Sequence, residues 1–189
     1  MARCYSDAVT KSQTLPATWL ISDARSDAVL ESALAALPRG SGFVFRHYHL
    51  SPATRRARFD ALARIARSRA VTVALAGSPA MARRWGAGAV YGPPGSTGGA
   101  HGLLRLATVH SLRELGAAHR AGADLVMLSP VFATRTHPGG AVLGRVRARL
   151  IARWARVPVI MLGGMTARRA RLLSPHGWAA IDGLSPLAR

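Results

Sequence analysis

Eight short apolar segments, alternating from Thr18 onward with stretches of helical period, predict an α/β fold of the (β/α)8 TIM-barrel type, in a short version with trimmed helices. Three observations carry that prediction. The segments are near-continuous runs of aliphatic and aromatic residues, as strands covered on both faces are. Between them lies enough chain for crossovers, which parallel strands require. Eight is also the number that closes a barrel. An open doubly wound sheet is the runner-up, but it would normally show a Gly-rich fingerprint after its first strand, and TWLISDARSD has none.

In order, TWLISD (18–23) leads to an Ala/Leu helix around 27–37, and GFVFRH (42–47) to an Arg-rich helix over 51–68. AVTVALAG (70–77) precedes a short helix near 78–85. GAVYG (88–92) runs into PPGSTGGAHG, whose Pro and Gly content predicts a flexible loop in place of the fourth helix. LLRLATV (103–109) is followed by HSLRELGAAHRAG, ADLVMLS (123–129) by a helix over 142–154, VPVIMLGG (157–164) by MTARRARLL, and WAAIDGLS (178–185) by too little chain for an eighth helix. Residues 1–15 read as a flexible tail and 16–189 as one barrel domain.

The chain has 189 residues, 49% of them hydrophobic, which is ample for a core and excludes wholesale disorder. Its 26 basic residues against 8 acidic ones give a formal charge of +18, nearly all from arginine. Such a charge invites nucleic-acid or anionic-ligand readings. The clusters at 55–69 and 145–156, however, set Arg opposite Leu, Ile and Phe at helical spacing, as solvated faces of covering helices do. They lack the aromatic interleaving of a single-strand platform, so nucleic-acid binding rests on charge alone. Cys4 is the only cysteine, which excludes an internal disulfide and suits a reducing cytoplasm. No apolar run approaches the roughly 18 residues of a membrane span. A homo-oligomer is an open alternative to a monomer.

In a barrel the chemistry sits past the carboxyl ends of the strands. Those positions hold Asp23, Arg46 to His49, Gly77-Ser78, Gly92 onward, Thr108 to Ser111, Ser129 to His137, Gly163-Gly164 and Asp182 to Ser185. Gly163 and Gly164 allow backbone amides to approach an anion, and Gly183-Leu184-Ser185 offers further donors, both where barrels commonly hold a phosphate. A lone Gly-Gly is by itself only a tight turn; two such turns on adjacent strand ends favour phosphate. Asp23 and Asp182 lie on the first and last strands. They are expected to pair with Arg46 or tie the barrel seam, the alternative being metal binding. His110 and Ser111 read as a helix start, and no spacing among the seven histidines predicts a metal ligand.

HSLRELGAAHRAGADLVMLSPVFATRTHPGGAVLG, VPVIMLGGMT and the closing Asp-Gly-Leu-Ser together resemble the thiamine phosphate synthase/TenI superfamily over about residues 103–185, with a weaker match from TWLISD through GFVFRH. The resemblance implies a barrel that binds phosphorylated thiazole and pyrimidine substrates. In the synthase, hydroxymethylpyrimidine pyrophosphate ionises with Mg²⁺ help and the thiazole nitrogen captures the cation, releasing pyrophosphate. By position, Thr134 and Thr136 match the thiazole-loop threonines, Gly164 the phosphate-binding glycine beside Gly163, Leu184-Ser185 the strand-eight phosphate amides after Gly183, and Arg46 the arginine after strand two. Ser129 opens the same substrate loop.

The departures cluster on one half of the site. The Asn-Asp-Asp expected after strand three falls on Leu75-Ala76-Gly77, and the Gly-Gln-x-Asp after strand four on Gly92 to Gly95, so both Mg²⁺-binding aspartates are missing. His137 stands where the family has its loop lysine, with Arg135 beside it to supply charge. The expectation is a synthase-like transferase whose thiazole-phosphate half is retained and whose pyrophosphate/Mg²⁺ half is degenerate. The alternative is a TenI-like thiazole tautomerase or a non-catalytic binder. The tautomerase histidine position is Pro130, which leaves His137 as the expected acid/base.

Overall fold

The computed structural model describes residues 15–134, 139–173 and 176–184. Eight strands form a closed parallel barrel in sequence order: β1 (Thr18–Ile21), β2 (Gly42–Phe45), β3 (Thr72–Ala76), β4 (Ala89–Gly92), β5 (Leu104–Val109), β6 (Leu125–Leu128), β7 (Val159–Met161) and β8 (Gly177–Ala180). Closure comes from β1 against β8, with Trp19 level with Ala179 and Leu20 with Ala180. The helices are α1 (Leu30–Ala36), α2 (Pro52–Ser68), α3 (Pro79–Trp85), α4 (Leu112–Arg120), α5 (Gly144–Ala152) and α6 (Ala167–Leu173). Only α2 is long, which bears out the trimmed version of the fold.

Alternation along each strand divides the core in two directions. Inward-facing Trp19, Ile21, Val44, Ala74, Ala89, Tyr91, Leu106, Leu125, Met127 and Ile160 fill the barrel. Outward-facing Phe43, Phe45, Val73, Leu75 and Val90 pack under α1, α2 and α3, while Val109, Val126, Leu128, Val159 and Met161 pack under α4, α5 and α6. The interior is filled unevenly. Trp19 is fully buried, its indole N–H donates to the Pro16 carbonyl at 2.7 Å, and both neighbouring strands carry a glycine at a close approach, β2 against the Trp19 ring and β8 against the chain just before β1. A Cβ on Gly42 would lie 2.2 Å from the Trp19 ring, and one on Gly177 2.1 Å from the Ala17 carbonyl oxygen.

Local signals set the helix starts. Ser51-Pro52 and Ser78-Pro79 each place a serine hydroxyl on an orphan amide, from Thr54 and Met81 respectively, with proline in the first turn. Gly86, at φ 70°, ends α3 in the left-handed conformation. The expected first helix divides into a 3-10 turn over Ala24–Val29, capped by Asp23, and then α1. The fourth crossover is a single 3-10 turn, Pro94–Ser96, followed by loop, as the Pro/Gly-rich segment predicts. Of the expected tail, only Leu15 is among the described residues, and the chain after Leu184 lies outside them.

The expectation that the arginines coat solvated faces needs correction on α2. Arg55 is partly buried and donates from Nη2 to the Ala76 carbonyl at 2.6 Å and from Nε to the Arg46 carbonyl at 2.9 Å. The carbonyls at the ends of β2 and β3 need donors, and the guanidinium reaches them while its Cζ lies 5.4–5.7 Å from the ring centroids of Phe45, Tyr48 and Trp85.

Gly42→Ala should overpack the barrel against Trp19 and lower stability by about 1–3 kcal/mol in urea unfolding. In a Trp19→Leu background the same Gly42→Ala change should cost less than it does in the parent; equal costs in both backgrounds would show that the ring is not what excludes the methyl group.

Candidate functional site

The carboxyl ends of the strands open into a cleft of about 370 Å³, whose walls include Arg46, Tyr91, Thr108, His110, Ser129 and Thr134. A second hollow of about 300 Å³ lies between the loops after β7 and β8, lined by Gly163, Gly164, Met165, Arg169, Asp182 and Gly183 among others. Thr134, Leu162, Gly163 and Ile181 line both.

The glycines are required by close packing. Gly163 has φ 95°, and a Cβ there would lie 2.7 Å from the Pro130 Cα; Gly164 has φ 59°, with a Cβ 2.5 Å from the Ala133 carbonyl oxygen. Both values lie in the region that L side chains avoid. The β6 loop is laced to this turn: the Val131 amide donates to Leu162 at 2.9 Å and the Phe132 amide to Gly163 at 3.0 Å. Gly183 sits equally tight, since a Cβ there would be 2.5 Å from the Met165 carbonyl oxygen. Arg169, from α6, stacks 4.3 Å from the Phe132 ring centroid and donates to the Gly164 carbonyl. A cation thus overlooks the β7–β8 hollow.

Arg46 follows β2 directly and is held from several sides. Its Nε donates to the Ser22 carbonyl at 3.0 Å, its Nη2 to Asp23 at 2.9 Å, and its backbone amide to Ser22 Oγ at 2.8 Å. Burial works against the Asp23 charge, but hydrogen bonds from Arg25 and the charges of Arg25 and Arg46 outweigh it and hold the carboxyl below its ordinary range. The expected Asp23–Arg46 pair is therefore present. Asp182 lies close enough to strengthen the charge of Arg25, which places both mouth carboxylates among arginines at the β1–β8 seam.

Tyr91 and His110 complete the floor and rim. Tyr91 is buried, and burial first of all pushes its phenol up to about 12, so it remains a donor at neutral pH. His110 places Nδ1 2.7 Å from Glu114 while its backbone amide donates to the same carboxylate at 2.9 Å. The helix cap itself is Ser111, which accepts from the Glu114 amide.

Of the residues expected in the site, Arg46, Ser129, Thr134, Gly163, Gly164 and Gly183 line the two hollows. Leu184 follows them in the chain, but its side chain packs against the core beneath α1 to α3. Arg135, Thr136, His137 and Ser185 lie outside the described residues. Sequence reading passed over Tyr91 and Arg169 and gave His110 only a structural role. The signal for Tyr91 was inward alternation with Ala89 on β4. For Arg169 there was none, because one arginine among many carries no mark.

Magnesium is the cofactor implied for a synthase of this type. The positions that would carry its aspartates are Leu75 to Gly77 and Gly92 to Gly95, and among the described residues no group of three or more His, Cys, Asp or Glu is arranged to hold a metal ion. With both mouth carboxylates set among arginines, this donor set does not fit Mg²⁺.

The family model described as thiamine monophosphate synthase matches residues 101–186. That stretch contains the β5 end, the β6 loop and the two glycine turns. Over residues 101–186 the chain is similar to the thiamine phosphate synthase/TenI superfamily. A putative thiamine-phosphate synthase 2 of Aquifex aeolicus is 32% identical over 78 residues, 41% of this chain and 42% of the relative. A thiamine-phosphate synthase of Pyrococcus furiosus is 32% identical over 86 residues, 46% of this chain and 40% of the relative. The match thus spans about two fifths of the length of these curated relatives. Among solved structures, thiamine phosphate pyrophosphorylase from Pyrococcus furiosus aligns with a TM-score of 0.74 at 22% identity, covering 89% of this chain and 86% of that one. FabK from Thermotoga maritima aligns with a TM-score of 0.70 at 16% identity, covering 91% and 60%. At these identities the structural likenesses speak for the fold. The superfamily's sequence likeness lies in the half that carries the β6 loop and the glycine turns. No helix among the described residues is long and apolar enough to cross a membrane.

His47 is buried beside Arg46. Burial above all pulls its imidazole below the ordinary value of 6.5, against the opposing pull of Asp27. The unfolded chain then takes up this proton more readily than the native one, so the stabilisation is present above about pH 6.5 and is lost as pH falls through the lowered value. Melting temperatures should drop over that window more steeply in the parent than in His47→Asn; parallel slopes would contradict the assignment.

Proposed function

We propose that this protein acts in thiamine biosynthesis as a thiamine phosphate synthase-like transferase that binds thiazole phosphate at the barrel mouth. The observation that carries the reading is the pair of glycine turns, Gly163-Gly164 and Gly183, set around Thr134 in the hollow after β7 and β8. Barrels commonly hold phosphate there, on backbone donors. Arg169 supplies positive charge on that side and Arg46 on the other.

In this reading the phosphate of the thiazole lies against the Gly163-Gly164 turn, and Thr134, with Thr136 of the same loop, orients the ring. The pyrimidine pyrophosphate occupies the Arg46 and Tyr91 side. Its methylene carbon–oxygen bond breaks, the thiazole nitrogen forms the new carbon–nitrogen bond, and pyrophosphate departs with the electron pair of the broken bond. Arg46, together with Arg135 and His137 of the β6 loop, offers the cations that remain for the leaving group. Loss of the aspartate positions makes this the altered half of the site.

One observation favours a second reading, a TenI-like tautomerase. His110 lines the cleft with Nδ1 on Glu114, an arrangement in which a carboxylate orients an imidazole for proton transfer. From the end of β5 it thereby joins His137 as an acid/base candidate, Pro130 occupying the tautomerase position after β6.

The decisive assay supplies hydroxymethylpyrimidine pyrophosphate, thiazole phosphate and Mg²⁺, with thiamine phosphate as the expected product. Saturable thermal stabilisation by thiazole phosphate without product would leave a binder. Neither product nor stabilisation would contradict the whole reading. Thr134→Ala should weaken thiazole phosphate binding several-fold, by the roughly 0.5–1.5 kcal/mol of a lost neutral hydrogen bond. Unchanged affinity would remove Thr134 from the site. His110→Ala should abolish tautomerisation of thiazole carboxylate phosphate while sparing thiazole phosphate binding if the second reading holds.

A further inference from the structure

We propose that His47 is a positioning residue: acting through Ser22, its neutral imidazole fixes Arg46 at the barrel mouth in the orientation that receives an anionic group, without itself touching the ligand. This deepens the proposed function and rests on it, because Arg46 is a cation assigned there to the pyrophosphate of the pyrimidine substrate.

The Arg46 backbone amide donates to Ser22 Oγ at 2.8 Å. Asp27 Oδ1, an oxygen of an ionised carboxylate that can only accept, lies 2.7 Å from His47 Nε2, so the ring carries a proton there. Burial disfavours a second ring proton. Nδ1 is then an acceptor and takes the Ser22 hydroxyl proton across 2.9 Å. Asp27 in turn accepts from Arg58 Nε at 2.9 Å, and Arg58 also pairs with Glu31. A continuous line of contacts thus runs from α1 and α2 on the outside of the barrel, through a fully buried imidazole and a fully buried hydroxyl, to Arg46 at the mouth.

Two features show that the ring is held in place rather than merely filling space. His47 adopts φ 39°, a left-handed backbone uncommon outside glycine, and its ring stacks on Phe45 with centroids 4.7 Å apart and planes 4° apart. The surroundings must over-determine such a conformation for it to persist. Ser22 also receives Arg46 Nε on its own carbonyl, so one residue fixes both the backbone and the guanidinium of Arg46. Loosening Ser22 frees both.

The two ring nitrogens can be separated by substitution. His47→Gln places an amide near Nε2, keeping a donor to Asp27 but losing the acceptor for the Ser22 proton. His47→Asn places a carbonyl oxygen near Nδ1, keeping that acceptor, and asparagine tolerates a left-handed backbone. Inorganic pyrophosphate, the group assigned to the Arg46 side, would be titrated calorimetrically into the parent, Arg46→Ala, Ser22→Ala, both His47 variants and the His47→Gln/Arg46→Ala double variant, with melting temperatures recorded alongside. His47→Gln and Ser22→Ala should each bind roughly five- to tenfold more weakly, the scale of one hydrogen bond. His47→Asn should recover most of the parent affinity, and His47→Gln should add nothing once Arg46 is replaced by alanine. If His47→Gln fails to fold, Ser22→Ala carries the comparison. Parent-like affinity in Ser22→Ala and His47→Gln, with Arg46→Ala weakened, would overturn this inference and leave the proposed function standing. A parent that binds thiazole phosphate but no pyrophosphate would overturn this inference alone, and one that binds neither would overturn the proposed function with it.

Discussion

The closure of β8 onto β1 around Trp19 is the constraint on which everything else rests. A parallel sheet of eight strands has no free edge only if its ends meet, and here they meet where the largest interior side chain sits beside Ala179. Gly42 concedes the volume that the Trp19 ring takes, and Gly177 lets β8 come up against the Ala17 backbone at the start of β1. Once the ring is closed, all eight carboxyl ends face one way. Residues as distant in sequence as Arg46, Tyr91, His110, Thr134 and Gly183 then share one rim.

That rim has two sides of different construction. After β6, β7 and β8 it is built from backbone: glycines packed closer than any Cβ would permit, two of them at positive φ, with the loop at 131–132 hydrogen-bonded to the turn at 162–163. After β2 and β4 it is built from side chains, chiefly the braced Arg46 and the buried Tyr91. The superfamily's likeness is concentrated on the first side, and the departures at Leu75 to Gly77 and Gly92 to Gly95 fall on the second. Backbone sites tolerate little substitution because their geometry is set by packing. Side-chain sites change one residue at a time.

Much of this was legible in the sequence. Parallel strands buried on both faces leave apolar runs that no solvent-facing element would keep, so all eight strands were readable, and Ser-Pro pairs gave two helix starts almost to the residue. The glycine turns and Arg46 were readable because their positions follow directly from strand ends. Long-range partnerships were not. Nothing local marks Arg55 as the donor to two strand-end carbonyls, or Arg169 among its neighbours as the one that stacks on Phe132. Period-two alternation would set His47 with His49, opposite Arg46 and Tyr48. The burial of His47 follows from a left-handed backbone that sequence period does not encode.

The central claim is that phosphate is held by the backbone of the β7 and β8 turns. A crystal structure of the protein soaked with thiazole phosphate tests it most directly. The phosphate is expected between Gly163-Gly164 and Gly183, with the ring beside Thr134. A phosphate bound elsewhere, with that hollow holding only solvent at saturating ligand, would contradict it.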